Sequence, residues 1–356
     1  MEMMKAARWH KAKDIRIEQV ETPGKPAAHQ IKIQVKFAGI CGSDLHEYSH
    51  GPMLIPVEKP YALNGHQGTT TLGHEFSGVV EEVGDQVTRF KKGDRVVVEP
   101  LFRNPDSEFI PNGKYNLSEP LGFVGLTANG GFAKYVLVED YMVYKIPDNV
   151  SFEQGAIVEP AAVAVYAVKN TGLEIGQNCV IFGAGPIGLL CLLAAKAAGA
   201  AKVIVVDVAE KRLEKAKELG ADAVISGKEA DVAGKVKAAN GGEGLDVFID
   251  AAGVQVTLDA GIQSLKNGGV ALIVALFGKP ATINAFDLVA REITLKGVIA
   301  YRNIFPEVIN LIASGKLPVE KLVTSKIILD NIVNDGFEAL LNNPSQVKIL
   351  VDIEKG

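Results

Sequence analysis

From about residue 152 onward, short and fully apolar segments alternate with segments that have the spacing of amphipathic helices. Strands that are apolar along their whole length belong to parallel sheets whose two faces are both covered by helices. The alternation therefore predicts an α/β fold with a doubly wound parallel sheet in this part of the chain. The segments that carry the pattern are NCVIFGAG, PIGLLCLLAAKAAG, AKVIVVD, VAEKRLEKAKELG, DAVIS, LDVFIDAAG, GGVALIVAL and ITLKGVIA.

The residues on either side of this region have a different pattern. The first part of the chain contains short runs that are rich in Val and Ile and bounded by Gly and Asp, which predicts a β-rich domain. From about residue 300 the pattern changes to helix, strand, helix and strand. The clearest segments are IKIQVKFAGI, FSGVVEEVG and DRVVVEP in the first part, and FPEVINLIASG, VTSKIILD and SQVKILVDI in the last.

Composition excludes several classes of protein. The chain has 356 residues, a formal net charge of −5 and three cysteines. The negative balance argues against nucleic acid or an anionic membrane as a partner, and no apolar segment is long enough to predict a membrane span. The first residues lack the apolar core of a signal peptide. Three cysteines cannot build a disulfide framework, so a reducing, cytoplasmic location is expected, and they cannot supply a four-cysteine zinc site.

A glycine-rich loop follows the first apolar strand of the α/β region and begins its first helix. Gly183, Gly185 and Gly188 form the pattern G-x-G-x-x-G, with Pro186 and Ile187 between the last two glycines. In this pattern the first glycine permits a tight turn, the second lets backbone approach a pyrophosphate, and the third allows close contact of helix and strand. The helix N-terminus favours the negative charge. The loop therefore predicts a dinucleotide site, with a turn that binds no ligand as the alternative.

An acidic residue ends the next predicted strand. Asp207 has the position at which a carboxylate accepts a hydrogen bond from the ribose 2′-hydroxyl and repels a 2′-phosphate, so NAD is favoured over NADP. Arg212 follows within the next helical segment. We expect it to flank the adenosine of the cofactor, and a solvated helix charge is an equally good interpretation.

A second set of residues has the chemistry of a metal site, although its members come from separate segments. Cys41, His74, Glu75 and Glu159 offer a thiol, an imidazole and two carboxylates, which are all ligands of zinc. Glu159 interrupts a run of small apolar residues, where an unpaired carboxylate is costly. It therefore predicts a metal or another cation nearby, or an exposed turn ahead of Pro160. Taken alone, Cys41 also fits a small core residue, and His74 fits a hydrogen-bonded histidine.

Three segments together match a family signature. GHEFSGVVEEVGDQV matches the zinc alcohol dehydrogenase signature at every fixed position, AGICGSDLHEY matches the zinc-cysteine segment, and VEPAAVAVYAV matches the polyol and butanediol branch. The chain thus resembles the zinc-containing medium-chain dehydrogenase/reductase family over nearly its whole length. The resemblance implies a GroES-like catalytic domain over residues 1–151, to which residues 299–356 return, and a Rossmann NAD-binding domain over residues 152–298.

The resemblance also implies roles for the candidate ligands. Cys41, His74 and Glu159 would surround one catalytic zinc per chain, and Glu75 would be a second acidic ligand or an exchangeable near-ligand. One departure from many relatives is clear, since the stretch EPLFRNPDSEFIPNGKYNLSEPLGFVGL contains no cysteine and so cannot hold their structural zinc. The two remaining cysteines, Cys179 and Cys191, are predicted to be core residues.

The activity implied by the resemblance is a zinc-dependent, NAD-linked oxidation of a secondary alcohol. The expected substrate is a vicinal diol that becomes a hydroxyketone (2,3-butanediol and acetoin), with sorbitol, another polyol or threonine as alternatives. Ser43 and His46 match the hydroxyl and histidine of the family's proton relay. Without a relay, Ser43 would be a hydroxyl that caps a turn and His46 a surface histidine. A homo-oligomer, either dimer or tetramer, is also expected. The rival hypotheses are a zinc-free reductase of the same fold and a non-enzymatic NAD-binding scaffold.

Overall fold

The structure is a computed structural model that describes residues 2–355. Its strands are β1 (Met3–Lys11), β2 (Asp14–Glu21), β3 (Gln30–Gly39), β4 (Thr70–Thr71), β5 (Glu75–Val83), β6 (Arg95–Val98), β7 (Tyr135–Glu139), β8 (Val143–Lys145), β9 (Asn178–Phe182), β10 (Lys202–Asp207), β11 (Ala223–Ser226), β12 (Leu245–Asp250), β13 (Leu265–Ile273), β14 (Thr294–Gly297), β15 (Val323–Ile328) and β16 (Lys348–Asp352).

The α-helices are α1 (Gly42–His50), α2 (Phe152–Gly155), α3 (Val158–Thr171), α4 (Pro186–Ala197), α5 (Glu210–Glu218), α6 (Val232–Ala239), α7 (Gln255–Ser264), α8 (Ala285–Arg291), α9 (Phe305–Ala313) and α10 (Ala339–Asn342). A π-helix over Ile332–Glu338 runs directly into α10. None of the described helices combines the length and the apolar character that crossing a membrane requires.

The chain divides into two compact units. The first comprises the residues up to Glu159, the segment Phe305–Ala313 and the residues from Val323 onward, and the second comprises Pro160–Ile304 and Ser314–Leu322. The chain first passes from one unit to the other inside α3, between Glu159 and Pro160. The helix is continuous there because Pro160 lies in its first turn, where proline is tolerated.

The second unit contains a parallel sheet of six strands in the order β11-β10-β9-β12-β13-β14. Its central strands are buried along their length; Val180, Phe182 and Phe248 belong to the core between the sheet and its helices. The chain order reverses beside β9, and such a switch point leaves a crevice at the carboxyl ends of the strands. The predicted α/β fold class is confirmed.

The first unit contains antiparallel strands around β3. A seven-stranded sheet has the path β15-β16-β3-β5-β6-β8 with β7 also paired to β3, and a smaller sheet has the order β2-β1-β4. Along β3, the side chains of Ile31, Ile33 and Val35 are buried and alternate with partly exposed residues, which is the period of a half-buried strand. The β-rich character predicted for this part of the chain is confirmed, and β15 and β16 from its end join the same sheet.

The two cysteines outside the candidate metal set are core residues, as predicted. Cys179 and Cys191 are free thiols with no exposed surface. Burial raises the pKa of the Cys191 thiol to about 12 and raises the pKa of Cys179 further. Both side chains are therefore neutral, unreactive parts of the hydrophobic core.

Candidate active site

Strand pairing brings three of the predicted metal ligands together. Gly39, at the end of β3, pairs with Glu75 at the start of β5. The residues just after β3 therefore lie next to the residues just before β5. Cys41 caps the N-terminus of α1 just after β3, and His74 directly precedes β5. One ligand atom from each of Cys41, His74 and Glu75 lies within 4.8 Å of the other two. A Cβ at Gly39 would overlap the Glu75 carboxylate, so this arrangement requires glycine there.

A buried aspartate holds two of these residues in place. Asp44 has no exposed surface, and its Oδ2 accepts a hydrogen bond of 2.9 Å from the backbone N–H of Cys41. Its Oδ1 lies 3.4 Å from Nδ1 of His74. Burial by itself lowers the pKa of His74, but the negative charges of Asp44 and Cys41 raise it well above its usual value. A carboxylate behind one ring nitrogen is the usual support of a metal-bound histidine, because it leaves the other nitrogen for the metal.

The donor set fits zinc. It combines a thiol, an imidazole and a carboxylate, which are the three ligand types found in zinc sites. Nδ1 of His74 and Oδ1 of Asp44 are buried and, among the described residues, have no hydrogen-bond partner at standard geometry. Their pairing at 3.4 Å orients the ring so that Nε2 faces Ser43, whose Oγ is 3.0 Å away. Ser43 thus lies beside the metal group, the name used below for Cys41, His74 and Glu75.

Lys348 is a member of the site that sequence analysis missed. Its side chain is buried, and its Nζ donates to Oε1 and Oε2 of Glu75 at 2.9 and 2.7 Å and to the carbonyl oxygen of Ile40 at 3.0 Å. Burial by itself lowers the pKa of Lys348, but the charges of Glu75, Cys41 and Glu159 raise it above its usual value. The signal was present in the sequence, because this lysine lies between Val347 and Ile349 in the apolar run VKILV and begins β16.

Glu159 is buried, which rules out the exposed turn that was one of its predicted environments. Its side chain is 7% exposed, and it lies in the first turn of α3. Lys348 is a nearby cation, because the charge of Glu159 helps to raise its pKa. Glu159 does not belong to the compact group formed by Cys41, His74 and Glu75. It contributes a further negative charge to the surroundings of that group.

His46, the predicted end of the proton relay, lies on α1 one turn after Ser43. Residues three apart share a face of a helix. The His46 side chain is exposed to solvent, whereas that of Ser43 is half-buried beside His74. The structure therefore brings Ser43, but not His46, to the metal group.

The predicted dinucleotide loop lies at the crevice of the second unit. Gly183 has a φ of +98°, which favours glycine, and a Cβ at Gly188 would overlap the carbonyl oxygen of Gly183. A Cβ at Gly185 would meet no atom within 4 Å, so the loop faces open space there. Pro186 and Ile187 form the first turn of α4, with Pro186 at its N-terminus. The arrangement has each feature of a pyrophosphate-binding loop.

A cleft of about 340 Å³ lies beside this loop, and both Asp207 and Arg212 line it. Asp207 ends β10 and is largely buried. Its Oδ2 accepts a hydrogen bond of 2.6 Å from the N–H of Ala184, inside the glycine loop, and its Oδ1 accepts one of 2.7 Å from the N–H of Ala209. Since a carboxylate oxygen accepts more than one hydrogen bond, the carboxylate can hold the loop and also bind a ribose hydroxyl.

Comparison with known proteins identifies the family. Residues 27–148 match the alcohol dehydrogenase GroES-like domain, and residues 186–314 match the zinc-binding dehydrogenase domain. Over 349 residues the chain is 49% identical to (R,R)-butanediol dehydrogenase of Bacillus subtilis (strain 168), covering 98% of this chain and 99% of that protein. The chain belongs to the zinc-binding dehydrogenase family. This dehydrogenase therefore has the family, the enzyme class and the cofactors, zinc and a nicotinamide dinucleotide, that the motifs predicted.

Two further relatives bear on its substrate. The X-ray crystal structure of 2R,3R-butanediol dehydrogenase from Bacillus subtilis matches this dehydrogenase with a TM-score of 0.93 at 48% identity, covering 98% of this chain and 99% of that one. Sorbitol dehydrogenase of Macaca fascicularis is 37% identical over 334 residues, which are 92% of this chain and 90% of that protein.

Proposed function

We propose that this dehydrogenase interconverts a vicinal diol and its hydroxyketone, with 2,3-butanediol and acetoin as the pair and NAD(H) as the cofactor. The observation that carries this proposal is the 49% identity to a butanediol dehydrogenase over 98% of the chain. The weaker likeness to sorbitol dehydrogenase, at 37%, favours a polyol as the second candidate substrate.

In the proposed site Cys41, His74 and Glu159 hold one zinc, with Glu75 beside it. Bound there, zinc supplies Lewis-acid polarisation of the substrate oxygen. Asp44 contributes by fixing the backbone of Cys41 and the ring of His74, so that the ligands are oriented before the metal binds. Since Glu159 lies outside the compact group, the proposal requires it to approach the other ligands when zinc is bound.

Proton release is assigned to the two polar residues of α1. The Ser43 hydroxyl lies beside His74 and would pass the proton of the substrate alcohol through the cofactor ribose to His46, which would release it to solvent. The exposure of His46 suits the end of a relay, because a base in contact with water exchanges its proton quickly.

The cofactor is proposed to be NAD rather than NADP. Its pyrophosphate would lie on the loop of Gly183, Gly185 and Gly188, and its adenosine ribose would bind Asp207 in the cleft. Arg212, which lines the same cleft, would flank the adenosine. Hydride would pass from the alcohol carbon to the nicotinamide ring.

The test is a substrate panel with NAD: the 2,3-butanediol stereoisomers, acetoin with NADH, sorbitol and threonine. We expect the highest kcat/KM with (R,R)-2,3-butanediol. A higher value with sorbitol or another polyol would replace the substrate assignment, and the absence of turnover with every alcohol would support a non-enzymatic scaffold. Metal analysis separates a zinc enzyme from a zinc-free reductase.

We also propose a cytoplasmic homo-oligomer, either a dimer or a tetramer. Strand β14 lies at an edge of the six-stranded sheet, and the helix before it, α8, exposes Phe286 and Val289 by 80% and 78%. Open strand edges and exposed apolar side chains are typical of surfaces that pair with another chain. The free thiols of all three cysteines suit a reducing compartment. Light scattering would give the oligomeric mass, and a monomer would contradict the assembly.

A further inference from the structure

Glu75 contacts a buried lysine and also belongs to the candidate zinc ligands. Its carboxylate is within 4.8 Å of the ligand atoms of Cys41 and His74, and both of its oxygens accept hydrogen bonds from Lys348. The pair is deeply buried, with side-chain exposures of 0% for Glu75 and 2% for Lys348. The same carboxylate is therefore available to a zinc ion and already bound by an ammonium group.

The ammonium group of Lys348 has three N–H donors, and two carboxylate oxygens and one carbonyl oxygen accept from it. The carbonyl belongs to Ile40, the residue before Cys41. Lys348 thus fixes the carboxylate of Glu75 relative to the segment that carries the thiol. A group with all its hydrogen bonds satisfied in the interior does not release its partner without a compensating interaction.

Charge gives this contact a second consequence. Cys41 as thiolate, Asp44, Glu75 and Glu159 carry four negative charges, and Lys348 with a zinc ion carries three positive charges. The buried group then has an excess of one negative charge, and without Lys348 the excess is two, which is more costly in a low-dielectric interior. Excess negative charge on a metal's ligands also weakens its action as a Lewis acid.

We propose that Lys348 is a positioning residue that competes with zinc for Glu75 and thereby holds this carboxylate beside the metal rather than permanently on it. The coordination position that Glu75 would otherwise occupy stays open to substrate or water, as a catalytic zinc site requires. The inference rests on the zinc site proposed above. A purely structural ion pair between β5 and β16 makes the opposite prediction, since its loss would loosen the site and weaken zinc binding.

The test measures zinc affinity by competition with a chelator, together with kcat, for Lys348→Met and Lys348→Arg. The methionine variant should bind zinc more tightly than the unmodified protein, by about tenfold or more, which is within the usual range of coupling between two binding events. Its kcat should fall although the site is loaded. Arginine keeps the charge and the hydrogen-bond donors, and should return both quantities toward the unmodified values. Unchanged or weaker zinc binding by K348M would overturn the proposal.

A double-mutant cycle tests whether Lys348 acts through Glu75. In an E75Q background, K348M should change the zinc affinity much less, because the carboxylate for which the two cations compete is absent. An equal gain in both backgrounds would mean that Lys348 repels zinc directly, and the competition would be refuted. The double variant removes both members of the Lys348–Glu75 ion pair, so neither of them is left buried without the other.

A second measurement covers the case in which K348M does not fold. The visible spectrum of the cobalt(II)-substituted protein reports the ligands of the metal. E75Q should leave its bands unchanged, because Glu75 is held by Lys348, and a changed spectrum would show a permanent ligand and overturn the proposal. A failure of the proposed zinc site itself gives a different result. In that case C41S would not reduce the amount of zinc that the protein binds.

Discussion

Asp207 is the residue whose substitution should change cofactor choice most. Its carboxylate lines the cleft beside the glycine loop and already accepts N–H hydrogen bonds from Ala184 and Ala209. These two contacts fix its position in the free protein, so a bound cofactor meets a rigid negative charge. Asp207→Ser removes the charge and the second oxygen, and retains one small hydrogen-bonding group.

The magnitude follows from two terms. A hydrogen bond from a ribose hydroxyl to a charged acceptor contributes about 1.5–3 kcal/mol. A charge about 4 Å from a 2′-phosphate adds about 1 kcal/mol of repulsion per phosphate charge in water and about 4 kcal/mol near a protein surface. Because the side chain is only 9% exposed, the repulsion lies above the aqueous limit. Even the lower values together give about 2.5 kcal/mol, which corresponds to a preference for NAD of nearly a hundredfold.

The assay is kcat/KM for NAD and NADP with one diol, in the unmodified protein and in Asp207→Ser. We expect the preference to fall from about a hundredfold to within about tenfold. Asp250→Ser is a matched control, because Asp250 ends β12 and its Oδ1 accepts hydrogen bonds from the N–H groups of Ala252 and Gly253. It should lose stability without a change in the ratio. Equal kcat/KM for both cofactors in the unmodified protein would refute the reasoning.

Three further outcomes are expected. Metal analysis after dialysis should give one zinc per chain, because the described residues contain one compact ligand group; two tightly held ions would contradict this. Glu159→Ala should lose zinc affinity and activity together while circular dichroism shows a folded chain, and full activity with unchanged zinc would show that Glu159 is not a zinc ligand. His46→Gln should lower kcat/KM near neutral pH by about a hundredfold or less, and the loss should shrink as pH rises because hydroxide can take the proton directly. A ratio that is constant with pH would make His46 a bystander.

The fold could be predicted where the sequence pattern is local. The α/β region has strands and helices whose burial is visible in each short segment, and β9 to β14 appear where their apolar runs occur. Helix α1 was not predicted, because its polar sequence GSDLHEYSH lacks a clear apolar face. Its N-terminus instead depends on Asp44, which bonds the backbone of Cys41. A cap of this kind is a tertiary feature of the metal group as much as a local signal.

The site was predictable only in part, for a related reason. The motif around His74 and Glu75 is contiguous, whereas the Lys348–Glu75 pair joins residues 273 positions apart. Both Glu159 and Lys348 are charged residues within apolar runs, and in the structure each is buried near the other's charge. An unpaired charged side chain is too costly to bury, so each charged residue within an apolar run predicts an oppositely charged partner. This rule would have identified Lys348.

The two candidate sites share a way of fixing a functional loop. In the first, Asp44 accepts from the backbone N–H of Cys41 with one oxygen and faces His74 with the other. In the second, Asp207 accepts from Ala184 in the glycine loop and presents the same carboxylate to the cleft. One side chain thus shapes the loop and also prepares it for its ligand, so the geometry exists before binding and less ordering is required on binding. Truncating either aspartate therefore alters the loop and the ligand contact at once. Only the part of the change in activation free energy, calculated from kcat/KM, that exceeds the change in unfolding free energy can be assigned to the ligand contact.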